Sequence, residues 1–156
     1  MRRDRQKGGG MKTVSLSQLH HSLSRRYPQA DIQILDRELD SWEPGQVDAV
    51  YRQFIWQMRL IGLILWLRNK LDCDKWAWLL RAYVIVRNAL GKGRNMKALG
   101  LVCYLRGGDP DDPHAVCAAI ERAGAGYRIT EIEPQPDGGR FELTLAERET
   151  VWLAIF

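Results

Sequence analysis

Apolar and polar positions follow two different periods along this chain, and the change falls near residue 97. Over residues 46–71, Val47, Val50, Tyr51, Phe54, Met58, Ile61 and Leu65 recur every three or four positions. That spacing predicts one long helix with an apolar seam. Asp72-Cys73-Asp74 is a short break, and a second helix is expected from about Lys75 to Leu90, with Asp74 as N-cap and Gly91 as C-cap. So short a break predicts an antiparallel hairpin. On the second helix Asp74, Arg81 and Asn88 fall on one side, read as solvated. Arg87 falls on the apolar side, near Tyr83 for a cation–π contact or near an acidic partner. Upstream, Leu16, Leu19, Leu23 and Tyr27 share a face over residues 15–27, Ser15 and Gln18 form a capping-box pattern, and Pro28 ends the helix. Ile32 and Ile34 alternate in a short strand, and residues 36–45 read as a connection.

Beyond residue 97 the pattern shortens. Residues 98–105 are continuously apolar, which suits a buried strand or a buried helix equally. Asp112 followed by Pro113 reads as N-cap and N1 of a helix over 113–123, ended by Gly124. Residues 127–133 and 140–145 read as strands joined by a turn at Asp137-Gly138. The last eleven residues suit either a helix or a final strand. The expected fold is α+β: an N-terminal helical region with a long antiparallel helical hairpin, then a small β-α-β-β unit. The expected organisation is a basic arm or cloning scar at 1–10, the helical region at 11–95 and the α+β unit at 96–156, together one compact domain. A winged helix-turn-helix is the alternative.

Charge adds a functional direction. Residues 52–106 hold eleven Lys/Arg against Asp72 and Asp74, a balance of +9, whereas residues 107–156 balance at −6 within a chain of net +4. A basic, Trp-rich middle suits an anionic partner. Arg52, Trp56, Arg59, Leu63, Trp66 and Lys70 lie on the side of the long helix opposite its apolar seam. Cations between indoles can neutralise phosphates while the rings stack on bases. Lys92, Arg94 and Lys97, with Arg2, Arg3, Arg5 and Lys7 of the arm, would extend that surface. The structural alternative buries Trp56, Leu63 and Trp66 and lets the Arg side chains reach water. The winged-helix alternative fails on charge, because Glu131, Glu133 and Asp137 would face phosphate.

Other chemistry is sparse. Three cysteines in no C-x-x-C arrangement suggest neither a disulfide framework nor a zinc site, and fit a reducing cytosol. Cys103 and His114 are the right types for a nucleophile and base, with Asp109, Asp111 or Asp112 to orient them, but no spacing supports them. Cys103 in an apolar run reads as a small core residue. Residues 109–112 lack the further ligands of a calcium loop, His20-His21 offers no metal set, and the glycines at 91 and 93 open no P-loop. No secretory signal is visible, and the apolar run at 60–67 falls short of the roughly 20 residues that span a bilayer. The expectation is a cytoplasmic, non-catalytic nucleic-acid-binding regulator without cofactor, metal or membrane. The alternative is a regulator or inhibitor, of accessory or mobile-element type, that docks on an acidic partner protein.

Overall fold

The structure is a computed structural model that describes residues 13–60, 72–91 and 95–156. In chain order its elements are β1 (Thr13–Val14), α1 (Leu16–Arg26), β2 (Asp31–Gln33), β3 (Leu39–Asp40), α2 (Gln46–Leu60) and α3 (Cys73–Leu90). There follow β4 (Met96–Lys97), β5 (Leu99–Leu105), a 3-10 turn at Arg106–Gly108, β6 (Pro113–Ala123), β7 (Gly126–Glu133), β8 (Gly139–Phe141), α4 (Leu145–Glu149) and β9 (Leu153–Ile155). Six strands form one sheet in the order β2-β9-β5-β6-β7-β8, and β1-β3-β4 form a small second sheet. All neighbours in the large sheet are antiparallel except β2 and β9.

The expected fold, a helical hairpin followed by a small β-α-β-β unit, is overturned: this is a mixed α+β fold built on a six-stranded sheet. The decisive segment is 113–123. Instead of a helix it is an eleven-residue strand, β6, paired with β5 on one side and β7 on the other. His114 to Glu121 are all buried, and the run reads as featureless because both faces are covered. Ala115, Cys117 and Ala119 pack under Trp76, Ala77 and Leu80 of α3. Val116, Ala118 and Ile120 pack under Leu19, Leu23 and Tyr27. Pro113 sits at the strand's first position, where its missing N–H costs no interior ladder bond. Gly124, expected to end a helix, turns β6 into β7 with φ 57°.

The N-terminal region also enters the large sheet through β2, which pairs with the C-terminal β9. Local signals hold elsewhere. The Ser15–Gln18 capping box starts α1, and Val47, Val50, Tyr51 and Phe54 are the buried seam of α2. Phe54 meets Trp76 and Tyr83 of α3, at ring centroids of 6.2 and 5.4 Å. Residues 61–71, the second half of the expected long helix, lie outside the described residues, and α3 starts at Cys73 with Asp72 as N-cap. On α3 two expectations reverse. Arg81 is buried, with its guanidinium 5.4 Å from the Trp78 ring, while Arg87 is exposed and donates to Gln53. Among the described residues no helix is long and apolar enough to cross a membrane.

Candidate functional site

The start of β6 carries a thiol contact on the face covered by α3 and a histidine cluster on the opposite face. Cys73 is the first residue of α3, and its Sγ accepts the Ala115 N–H at 3.4 Å. The preceding residue on β6 is His114, whose side chain is 3% exposed. Its Nε2 lies 2.6 Å from Oε2 of Glu133, at the end of β7. Its Nδ1 lies 2.5 Å from Nη2 of Arg106, in the 3-10 turn. The Tyr104 ring, on β5, packs edge-on against the imidazole at 5.6 Å. Arginine only donates and a carboxylate only accepts. The ring therefore carries its proton on Nε2, donated to Glu133, and takes Arg106 at Nδ1.

Glu133 is positioned by the loop that follows it. The Gln135 N–H donates to its Oε1 at 3.4 Å, and the Tyr51 hydroxyl of α2 donates to the Gln135 carbonyl at 2.6 Å. Burial, then the carboxylates of Glu133 and Asp137, push the Tyr51 hydroxyl up to about 12, so it remains a donor.

Cys73 and His114 are among the residues lining one open cavity of about 260 Å³, with Asp72, Asp74, Cys103, Pro113, Ala115 and Trp152. The three thiols differ chemically. Burial, and then the adjacent Cys73, push the Cys103 thiol up to about 11. Burial pushes the wholly enclosed Cys117 far above its ordinary range. Neither is a thiolate at neutral pH, which is the form that reacts. Cys73 is half-buried and opens on the cavity. It stands in the first turn of an eighteen-residue helix, where backbone N–H groups favour negative charge. Asp72 and Asp74 flank it and oppose that effect, although Asp72 is paired with Lys75 at 2.7 Å.

Sequence reasoning paired His114 with Cys103 and an aspartate. Cys103 does reach the same cavity, but the carboxylate on the ring is Glu133, and Asp112 instead holds Arg106 at 3.5 Å. Cys73 and Glu133 went unnoticed because neither sits in a recognisable motif. The available signal was a cysteine at the expected hairpin break, where the next helix begins.

The residues expected to bind nucleic acid divide into three groups. Arg52, Trp56 and Arg59 are exposed on α2, around an open depression shared with Pro136, Asp137 and Gly138. Trp66, Lys70, Lys92 and Arg94 lie outside the described residues. Lys97 is half-buried on β4, donates to the Ser41 carbonyl at 3.0 Å and stands 5.6 Å from the Trp42 ring. Among the described residues no group of three or more His, Cys, Asp or Glu is arranged to hold a metal ion.

No family model matches this chain, and none of the curated proteins does. Among solved structures it is similar to a PSL1a–E64 complex, with a TM-score of 0.60 and 17% identity over 93% of this chain. The match covers 51% of that protein, so this chain spans about half the neighbour's length. At that identity the likeness establishes the fold alone.

Proposed function

We propose that this protein is a non-catalytic nucleic-acid-binding regulator that uses the basic, Trp-bearing face of α2. The observation that carries this reading is the exposed face of α2. Trp56, 59% exposed, stands between the exposed Arg52 and Arg59. That surface is the form a single-stranded nucleic acid would use, phosphates on the guanidinia and a base on the indole. Anisotropy with labelled DNA and RNA at two salt concentrations tests it. Arg52→Glu with Arg59→Glu should abolish binding and leave the fold intact, since both side chains are exposed.

A further inference from the structure

One cation on α3 has no acceptor. Arg81 is 8% exposed, yet among the described residues nothing accepts a hydrogen bond from it and no carboxylate pairs with it. Its guanidinium lies 5.4 Å from the Trp78 ring, a cation–π attraction that leaves its five N–H donors without an oxygen. A buried, unpaired charge is costly. Burial holds the Arg81 guanidinium below its ordinary range, and the opposing effects of Cys117 and Asp36 do not offset it.

Arg81 lines a cavity of about 20 Å³ between α3 and the small sheet. Leu39 of β3, Val84, Leu99 and Phe156 are buried around it. Lys97 of β4 adds a second cation and also donates to the Ser41 carbonyl at 3.0 Å. Asp36 is the acid on the cavity, and it forms no ion pair with Arg81. Ile85 lines the cavity while 41% exposed, so that side opens to solvent.

We infer that this cavity is a binding site for a monocarboxylate on an apolar body, with the two carboxylate oxygens held by Arg81. A guanidinium takes a carboxylate through two parallel hydrogen bonds. The enclosed space accommodates two oxygens and is too small for a phosphate group. Asp36 disfavours a doubly charged anion beside it. Apolar walls with one charged group to fix orientation are the form of a small-ligand site. Water in the same place would satisfy a donor or two and leave the charge uncompensated. The site shares no residue with the exposed face of α2, so it stands or falls independently of nucleic-acid binding.

The test is isothermal titration calorimetry at pH 7 and fixed ionic strength, with sodium isovalerate, sodium acetate and the neutral isovaleramide. Isovalerate should bind, acetate should bind less tightly, and isovaleramide should be weaker than isovalerate by about tenfold or more. Arg81→Met replaces the unpaired cation with an apolar side chain. It should fold at least as stably as wild type in urea and lose isovalerate binding. Asp36→Asn removes a repulsive charge and should tighten binding severalfold. Absence of isovalerate binding in wild type overturns the site, as does equal binding of isovaleramide, a comparison that needs no variant to fold. Undiminished binding in Arg81→Met overturns it as well. So does binding that emerges only in Asp36→Asn, since Asp36 would then be the partner of Arg81 in solution.

Discussion

Gly138 lies against Glu133 so closely that a β-carbon on it would stand 2.5 Å from Glu133 Cγ. The loop that closes behind the carboxylate therefore has no room for a side chain at this point, and Glu133 is packed from behind as well as hydrogen-bonded in front. Gly138→Ala should displace Glu133 from His114 and destabilise the protein by about 1–3 kcal/mol, read as a lower midpoint in urea. An unchanged midpoint would mean that the loop does not set the carboxylate.

Glu133→Gln tests the contact with His114 directly. Glutamine keeps the volume and removes the charge from the acceptor of the Nε2 hydrogen bond. The variant should be less stable by about 1–2 kcal/mol, read as a lower midpoint in urea at pH 7. An unchanged midpoint would mean that the contact contributes nothing.

Acid sensitivity should trace to Glu121. This carboxylate is buried on β6 yet ionised. Burial would raise it, but the hydrogen bonds from Arg140, Thr130 and Arg128 outweigh burial and hold it below its ordinary range. Arg140 grips it at 2.8 and 3.0 Å and also reaches Asp48 of α2 at 2.8 Å. A carboxylate lowered on folding stabilises the protein above the unfolded value near 4.3, and that stability is lost as pH falls through the folded value. Glu121→Gln should cost about 1–3 kcal/mol at neutral pH. Urea melts at pH 7 and pH 3 should show the gap between variant and wild type narrowing in acid. A constant gap would exclude this carboxylate as the source.

Gly100 on β5 marks the tightest point of the second core. A β-carbon there would stand 2.5 Å from the Phe156 ring and 2.6 Å from the Ile155 carbonyl. Phe156 is fully buried and cannot swing into solvent without emptying its site. Gly100→Ala should destabilise by about 1–3 kcal/mol, read as a lower midpoint in urea at unchanged slope. A smaller loss would mean that the chain end repacks.

The parts of this fold that were legible along the chain are those whose partners lie within a turn of helix. The Ser15–Gln18 box, the 3–4 periodicity from Val47 to Phe54, and the turn glycines are local chemistry acting over a few residues. The strand at 113–123 was not legible. Asp112-Pro113 is as good a helix start as a strand start, and a run buried on both faces carries no alternation to distinguish them. What settles it is the ladder to β5 and β7, whose residues are distant enough that no local window contains them.

The same distinction governs the candidate site. The sequence by itself determined that a cysteine would stand near the start of the second helix and that a histidine would follow the apolar run of β5. It also placed the basic and aromatic residues of α2 on one side, and Arg52, Trp56 and Arg59 are exposed there. Only the tertiary structure decided which carboxylate accompanies His114 and where Cys73 packs. Packing α3 across β6 puts Cys73 Sγ on the Ala115 N–H, and the pairing of β6 with β7 brings Glu133 to Nε2. Such juxtapositions arise from close packing and strand register, which are properties of the whole chain and leave no mark at any one position.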